Sequence, residues 1–300
     1  MDKVGIPRSL FYYYYGDIWE CFFDRLNIEY IVSPETNREI MDRGVKISQD
    51  EMCLAFKTYL GHIDYLKGKC DYILVPRICN YKSNNQTCTN FLAAYDIVNN
   101  LMDMKVLNYN IDLEKGDTLK RGLFKIGKVF GKKYKEMDKA YKEAMYLHLS
   151  NVKRKNVKNK ERLQSSKTKV LIVSHPYNTY DRMIGFDIIE YLKKKGVEVI
   201  FSDSFDGSIT AGLSKKLSEN LYFKYSKEAI GSIIYAMDKI DGIIFLTSFP
   251  CGPDSLVNEL VIRKIKKYNI NIVIDSMSSF EGIETRLESF LDVIRGNVHV

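Results

Sequence analysis

The stretch that decides the fold is DGIIFLTSFPCGPDSLVNEL, residues 241–260. An apolar run with strand composition, Ile243 to Leu246, ends before Pro250, and apolar residues at helical spacing begin a few positions later. A buried strand that leads directly into a helix is typical of a parallel sheet with helical crossovers. The stretch therefore predicts a strand and a helix joined by a turn that contains Cys251.

The same alternation of strands and helices extends along the whole chain. Because helices of roughly 10–15 residues separate successive strands, the spacing indicates parallel sheets. We expect two Rossmann-like α/β domains, residues 1–165 and 166–300, with a helical, basic connecting segment. Strands are predicted at 3–6, 29–32, 71–75, 169–173, 197–201, 242–246 and 270–274, and helices near 13–26, 51–67, 183–195, 226–238, 254–267 and 282–294, with two or more further helices after Phe91.

The net charge of +7 is concentrated in residues 151–169, where Glu161 is the one acidic side chain among many Lys and Arg. A basic run of this kind is usually a solvated helix face or a linker, and attraction for an anionic ligand is the alternative. Aromatic residues do not interleave with it, which argues against a surface on which nucleic-acid bases stack. We expect no nucleic-acid partner.

No apolar stretch approaches the ~20 residues needed to span a bilayer, and the first residues lead directly into a strand. The expectation is a cytoplasmic protein without a membrane partner. In a reducing compartment, cysteines that are not core filler are more often metal ligands or reactive groups than disulfide halves. The cysteines are Cys21, Cys53, Cys70, Cys79, Cys88 and Cys251.

The motifs of several common enzyme classes are missing from the sequence. GIPRSL stands where a G-x-G-x-x-G would follow the first strand, and the chain contains no P-loop motif. None of the histidines lies in an H-E-x-x-H pattern, and SFPCG is not a G-x-S-x-G elbow. Nicotinamide binding and P-loop nucleotide binding lose their main support, and a zinc hydrolase is not expected.

Three cysteines precede predicted helices. Cys251 stands just before Pro253, where backbone N–H groups and the helix dipole favour a negative charge. Such a position suits a thiolate, either as a nucleophile or as a metal ligand, whereas a buried cysteine acting as a small hydrophobic residue is the alternative. Cys53 and Cys88 each open a helix in the same way, although no C-x-x-C pattern occurs.

Seven motifs occur in order across nearly the whole chain: GIPR, DEMC followed by a lysine and GH, YILVPR, CTNF, HPYN followed by an aspartate, FPCGPDS and ETRLESF. This ordered set resembles the D-component family of the 2-hydroxyacyl-CoA dehydratases, and within it the branch called acyl-CoA dehydratase activase-related. The resemblance implies an oxygen-sensitive [4Fe-4S] protein of anaerobic metabolism with two Rossmann-like domains.

Matched motif by motif, the cluster cysteines of the family correspond to Cys53, Cys88 and Cys251. Thiolates are the usual ligands of iron–sulfur clusters, and three of them leave one iron open to water, substrate or a further thiol such as Cys79. In better-known relatives, a partner activase uses ATP hydrolysis to drive one electron into such a cluster. The electron allows dehydration of a 2-hydroxyacyl-CoA through a ketyl radical. The resemblance therefore implies an activase-type ATPase as partner and a CoA thioester as substrate. A dimer is a further expectation, although the true dehydratases work as two unlike subunits.

The chain departs from the family pattern in two places. Thr87-Cys88-Thr89 stands where relatives tend to have adjacent cysteines followed by proline, so one ligand is absent. Asp275-Ser276-Met277-Ser278 stands where relatives tend to have an acidic residue and a histidine after the strand aspartate. Serine and methionine cannot act as a general acid or base near neutral pH, which removes expected proton-transfer groups from this loop.

Further residues are candidates for binding the cofactor or the substrate. Arg8 and Arg77, at strand exits, are expected to pair with an acyl-CoA carboxylate, a phosphate or the cluster charge, and a surface arginine is the alternative. Tyr177 and Asn178 are candidates from the second domain. His62, on the helix that Cys53 opens, is interpreted as a solvent-facing side chain.

Two functions from different classes follow. The first is an iron–sulfur enzyme, or a component of one, for lyase chemistry of the 2-hydroxyacyl-CoA dehydratase kind. The second is a non-catalytic iron–sulfur protein that passes electrons or assembles clusters for an activase-type ATPase. The family resemblance favours the first function, and the departure at Ser276-Met277-Ser278 favours the second.

Overall fold

The computed structural model describes residues 2–82 and 85–296. The chain forms two compact units, Met1–Val152 and Lys153–Val300. Parallel sheets and helices make up both units, which confirms the predicted α/β class. Along the chain, the division between the two units falls after Val152, inside the basic segment, and the sequence predicts a domain boundary at 165/166.

The first unit contains a four-stranded parallel sheet and a separate two-stranded parallel sheet. In chain order its elements are β1 (Val4–Ile6), α1 (Tyr12–Leu26), β2 (Tyr30–Val32), α2 (Arg38–Ile47), α3 (Leu54–Leu66), β3 (Tyr72–Leu74), β4 (Arg77–Asn80), α4 (Thr89–Leu101), β5 (Lys105–Leu107), β6 (Asn110–Asp112) and α5 (Leu119–Val129). The larger sheet has the order β2-β1-β3-β5, and β4 pairs with β6. The next helix, α6 (Tyr134–Leu163), begins in this unit and ends in the second.

The second unit repeats the arrangement around another four-stranded parallel sheet. Its elements are β7 (Lys169–Val173), α7 (Pro176–Thr179), α8 (Phe186–Lys194), β8 (Glu198–Phe201), α9 (Gly207–Leu213), α10 (Lys224–Ala236), β9 (Gly242–Ser248), α11 (Gly252–Lys264), β10 (Asn269–Ile274) and α12 (Phe280–Arg295). The strand order is β10-β9-β7-β8, and every pair is parallel.

The β9 strand explains why the apolar run at 243–246 predicts the fold so well. All seven of its residues are buried, as expected for a central strand covered on both faces. Ile243 and Phe245 lie in one hydrophobic cluster with Ile233 of α10 and Val261 of α11. The helix that follows Cys251 therefore packs back onto the strand that precedes it.

The end of α6 is anchored to the second unit, so the basic segment is not a free linker. The Asn159 amide donates to the backbone oxygen of Phe201 at 2.9 Å and accepts from the backbone nitrogen of Phe201 at 3.0 Å. Arg162 pairs with Glu198 at 3.4 Å, and Leu163 is part of the core. The interpretation as a solvated helix face applies to the exposed side chains, such as Lys160, that lie between these contacts.

Helices α2 and α3 approach each other unusually closely, and this contact positions the helix that Cys53 precedes. A Cβ atom added to Gly44 would lie 2.0 Å from the backbone oxygen of Lys57, and one added to Gly61 would lie 2.0 Å from the backbone oxygen of Ile40. Only glycine permits this backbone-to-backbone distance, because any side chain would collide with a carbonyl group.

None of the helices in the described part of the chain is both long and apolar enough to cross a membrane.

Candidate functional site

The three cysteines predicted as cluster ligands all stand at helix N-termini. Cys53 precedes α3, Cys88 precedes α4 and Cys251 precedes α11, each with an extended backbone. The first N–H groups of a helix have no intrahelical acceptor, and the helix dipole adds partial positive charge at the same end. The helix N-terminus at each of the three positions therefore contributes an electrostatic potential that attracts negative charge.

In the first unit, the N-termini of α3 and α4 lie side by side. The side-chain nitrogen Nδ2 of Asn90 donates a hydrogen bond to Sγ of Cys53 at 3.3 Å. Asn90 is in the first turn of α4, two residues after Cys88. The contact thus links one predicted ligand directly to the helix turn that begins at another.

Aromatic packing holds this pair of helix ends in place. The Phe11 ring, just before α1, lies 5.4 Å from the Tyr59 ring of α3 and 4.7 Å from the Phe91 ring of α4, both edge-on. The three side chains are almost completely buried. Edge-on aromatic pairs contribute roughly 0.5–1.5 kcal/mol each beyond the area that they bury. The positions of Cys53 and Cys88 therefore depend on a rigid apolar base.

Cys79 lies on β4, at the start of the loop that leads to Cys88. Thr87 closes this loop, because its backbone nitrogen and its hydroxyl both donate to the backbone oxygen of Cys79, at 3.1 and 3.2 Å. Burial raises the pKa of the Cys79 thiol, and the negative charge of Asp112 adds to the effect. This environment favours the protonated thiol, which is a poorer metal ligand than a thiolate.

His62 is fully buried, so the expectation of a solvent-facing side chain is wrong. Its Nδ1 atom lies 2.8 Å from the Ser33 hydroxyl, and its Nε2 atom lies 3.0 Å from the Thr36 hydroxyl. The Ser33 hydroxyl also accepts a hydrogen bond from the backbone nitrogen of Arg8 at 2.8 Å. Burial, with a smaller contribution from the charge of Arg8, lowers the pKa of His62 to about 3. His62 is therefore neutral and braces the loop that carries Arg8.

Both predicted anion-binding arginines keep a buried donor without a hydrogen-bond partner among the described residues. In each case the atom is the guanidinium nitrogen Nε. The Arg8 guanidinium lies 5.7 Å from the centre of the Tyr12 ring. The Arg77 guanidinium donates to Asp96 and lies 5.3 Å from the centre of the Tyr95 ring. Neither is a simple surface arginine, because a buried N–H without an acceptor is costly and uncommon.

The second unit brings His175, Cys251 and Asp254 together. His175 follows β7 and Cys251 follows β9, and these strands are neighbours in a parallel sheet, so both residues lie at the carboxyl edge of that sheet. The Nε2 atom of His175 is 3.1 Å from Oδ1 of Asp254, and the same carboxylate accepts a hydrogen bond from Cys251. Burial opposes ionisation of Asp254, but the charge of His175 and the hydrogen bonds from His175 and Cys251 together lower the pKa of this carboxyl group below its ordinary 3.8.

Tyr177 and Asn178, the other predicted binding residues, belong to the short helix α7. The Tyr177 ring stacks on the His175 ring at 4.7 Å with an interplanar angle of 9°. Asn178 is almost completely buried and accepts a hydrogen bond from the hydroxyl of Ser248 at the end of β9. Tyr177 therefore orients the imidazole, and Asn178 ties α7 to the strand that leads to Cys251.

Within residues 2–82 and 85–296, no group of three or more His, Cys, Asp or Glu side chains is arranged to hold a metal ion. Cys53 and Cys88 belong to the first unit, and Cys251 belongs to the second. The donor type fits an iron–sulfur cluster, since thiolates are its usual ligands. A Cβ atom added to Gly252 would meet no heavy atom within 4 Å, so the backbone beside Cys251 has room for a bulky group. The residues thus fit a cluster in the chemistry of their donor atoms, whereas the described structure does not gather three of them at one point.

Two contacts at these sites are missing from the sequence predictions. Asn90 lies within the motif CTNF, directly beside the residues that carry the resemblance, but its partner Cys53 is 37 positions away. His175 and Asp254 lie in the motifs HPYN and FPCGPDS, and their partnership depends on strands that are adjacent in space and not in sequence. The sequence analysis does not name these three residues as site candidates, because their contacts depend on helix ends and strands that are adjacent only in space.

Comparison with protein families matches residues 3–205 to the CoA enzyme activase uncharacterised domain (DUF2229). The match covers more than half of the chain. The chain belongs to this family. The range matched to this uncharacterised domain includes Cys53, Cys88 and the two arginines, and it ends before Cys251.

Several solved structures are similar to this family member at low sequence identity. A Zn(II)-bound variant of AdcAII from Streptococcus pneumoniae is 12% identical, with 96% of this chain and 97% of that chain covered and a TM-score of 0.31. FpvC from Pseudomonas aeruginosa in complex with Mn²⁺ is 11% identical, with 98% and 97% covered and a TM-score of 0.29. A sugar transporter from Clostridium phytofermentans is 11% identical, with 100% and 94% covered and a TM-score of 0.21. These distant similarities do not bear on function, and no curated protein matches the chain.

Proposed function

We propose that this member of the CoA enzyme activase domain family is a [4Fe-4S] protein of the 2-hydroxyacyl-CoA dehydratase kind. It would receive a low-potential electron from an activase-type ATPase and deliver it to a CoA thioester. Cys53, Cys88 and Cys251 are the proposed ligands. The observation that carries the proposal is the contact between Asn90 and Cys53, because it places two of these cysteines at adjacent helix N-termini in a family related to CoA enzyme activases.

The protein would contribute electrostatics and rigidity at this site. When bound, the cluster supplies a one-electron reductant whose potential depends on its surroundings. The helix N-termini at Cys53 and Cys88 stabilise the thiolates, and the buried rings of Phe11, Tyr59 and Phe91 keep water away from one side. Three thiolates leave one iron for water, for substrate or for Cys79.

Arg8 and Arg77 are the proposed contacts for the anionic part of the substrate. Each keeps a buried Nε donor that has no hydrogen-bond partner among the described residues. Guanidinium groups bind carboxylates and phosphates with paired, charge-assisted hydrogen bonds. A CoA thioester carries phosphates, so an anionic group of this class would satisfy the donors that the protein leaves open.

Two observations bear on whether the protein is a catalyst or an electron carrier. Asp275 accepts hydrogen bonds from the backbone nitrogen of Met277 at 2.7 Å and from the hydroxyl of Ser278 at 3.2 Å, so its carboxylate is used to form a turn. This favours the non-catalytic alternative. His175 and Asp254, however, form an acid–base pair at the carboxyl edge of the four-stranded sheet in the second unit. A catalyst of dehydration needs such a pair to move protons. The second observation favours the enzyme.

The decisive assay is turnover by anaerobically reconstituted protein with an activase-type ATPase, ATP, reductant and a 2-hydroxyacyl-CoA. We expect ATP-dependent formation of the unsaturated acyl-CoA. Cys53→Ala should abolish it, whereas Cys21→Ala should not, because Cys21 lies within α1 and not at a helix N-terminus. ATP-dependent bleaching of the visible spectrum without product would favour the electron carrier. Neither bleaching nor product would contradict the proposal.

A further inference from the structure

We propose that Asn90 is a positioning residue that raises the reduction potential of the cluster by donating a hydrogen bond to the sulfur of Cys53. This inference rests on the proposed function, because it requires Cys53 to be a ligand. Hydrogen bonds to the ligand sulfurs are among the main controls of iron–sulfur potentials. The chain supplies one such donor from the helix that Cys88 opens.

The geometry supports a directed interaction and not a casual contact. Nδ2 of Asn90 lies 3.3 Å from Sγ of Cys53, a short distance for a nitrogen-to-sulfur hydrogen bond. Both side chains are half-buried, so water competes only partly for the donor. The next residue, Phe91, is buried against Phe11 with ring centres 4.7 Å apart, and this packing fixes the turn that carries the amide.

The chemistry gives the direction of the effect. A thiolate sulfur is a stronger acceptor than a thiol, because charge strengthens hydrogen bonds. Reduction adds negative charge to a cluster and its sulfur ligands, so a donor held at Cys53 stabilises the reduced state more than the oxidised state. The potential is therefore higher with Asn90 than without it. An uncharged amide gives this effect at every pH, since it does not titrate.

The test is a redox titration, followed in the visible spectrum, of anaerobically reconstituted wild type, Asn90→Ala and Asn90→Asp. We expect Asn90→Ala to lower the potential at unchanged iron content. Asn90→Asp should lower it further, since a carboxylate cannot donate and adds negative charge beside the sulfur. The matched control is Asn100→Ala, because this amide lies on the same helix and donates to the backbone oxygen of Asp96 at 2.7 Å, away from any cysteine.

The outcomes separate this inference from the proposed function. An intact cluster with an unchanged potential in Asn90→Ala contradicts the role of Asn90 and leaves the cluster proposal standing. A wild-type protein that binds no cluster contradicts the proposed function itself. If Asn90→Ala loses iron, Asn90→Gln decides the matter, because it retains an amide donor. Iron retained by the glutamine variant supports the donor role, and iron lost from both variants contradicts it.

Discussion

The Nε2 atom of His175 lies 3.1 Å from Oδ1 of Asp254, and this contact joins the loop after β7 to the first turn of α11. Each side chain is mostly buried, with exposed fractions of 16% and 18%. The same carboxylate accepts a hydrogen bond from Cys251. Asp254 therefore links His175, which follows β7, to the predicted ligand Cys251, which follows the neighbouring strand β9.

Replacing Asp254 with Asn should destabilise the second unit. The change removes a charged acceptor from His175 and Cys251, and hydrogen bonds to charged groups contribute about 1.5–3 kcal/mol each. Since the folded state lowers the pKa of Asp254, this stabilisation is present above the ordinary value of 3.8 and is lost as the pH falls below it. We expect Asp254→Asn to remove that part of the acid dependence. Urea unfolding followed by circular dichroism at neutral and acidic pH measures both effects.

A control on the same helix shows whether the loss is specific. Glu259 forms an exposed ion pair with Arg263 at 2.6 Å. Because exposed pairs of this kind contribute about 0–1 kcal/mol, Glu259→Gln should change the free energy of unfolding little. Equal losses in the two variants would contradict the buried, charged role of Asp254.

His62 should make the first unit sensitive to mild acid. Its pKa is lowered to about 3 in the folded protein, whereas the ordinary value is 6.5, so the unfolded chain binds more protons between these values. Stability should therefore fall as the pH is lowered through this window, by about 2 kcal/mol at about pH 5. The chain has one tryptophan, Trp19, which is buried in the first unit, and its fluorescence reports unfolding there.

The matching variant is His62→Gln, which cannot take up a proton in this range. We expect it to lower stability at neutral pH by about 1–3 kcal/mol, because the hydroxyls of Ser33 and Thr36 lose their ring partners. The dependence on pH between about 6.5 and 5 should become shallower. An unchanged slope would show that another group governs the acid response.

Gly61→Ala should separate α3 from α2 and disturb the helix that Cys53 precedes. The added Cβ would lie 2.0 Å from the backbone oxygen of Ile40, a distance that no relaxation of a side chain can relieve. Overpacking of this kind costs about 1–3 kcal/mol, and backbone displacement adds to it. Urea unfolding followed by circular dichroism, which reports on both units, measures the loss. In Gly212→Ala, where the new atom meets nothing within 4 Å, we expect no loss and a gain of up to about 1 kcal/mol; similar losses in both variants would contradict the close-packing argument.

Asn159→Ala should show that the basic segment is part of the second unit. The buried amide is bonded twice to the backbone of Phe201, and each orphaned backbone group costs about 1–3 kcal/mol. We expect faster amide hydrogen exchange at the end of β8. Lys158→Ala, next in the chain and exposed, should leave exchange there unchanged. If both variants exchange like wild type, the segment is a linker after all.

The sequence predicts most of the fold because buried strands and amphipathic helices have clear periodicity. The apolar runs of β7 and β9 and the helices that follow are found from pattern alone. Helix α2 is not predicted from the sequence, because REIMDRGVKI is rich in charged residues and contains a glycine. That glycine, Gly44, permits the close backbone contact with α3. Strands β4 and β6, with the sequences RICN and NID, are too short and too polar to give a strand signal.

In the candidate sites, features set by neighbouring residues are predicted from the sequence, whereas contacts between residues far apart in the sequence are not. The position of a cysteine before a helix is local, so the sequence places Cys53, Cys88 and Cys251 correctly at helix N-termini. The burial of His62 depends on hydroxyls more than 20 residues away, at Ser33 and Thr36, and no local pattern reveals it. Such contacts are determined by sheet order and helix packing, which the spacing of residues in the sequence does not reveal.

Iron and sulfide analysis of anaerobically purified protein tests the central claim most directly. The account predicts about four irons and about four sulfides per chain in wild type and in Cys21→Ala, with visible absorbance that reductant bleaches. Cys53→Ala, Cys88→Ala and Cys251→Ala should each lose most of the iron and the colour. A colourless wild-type protein that also resists reconstitution, or a Cys53→Ala variant with unchanged iron, would contradict the account.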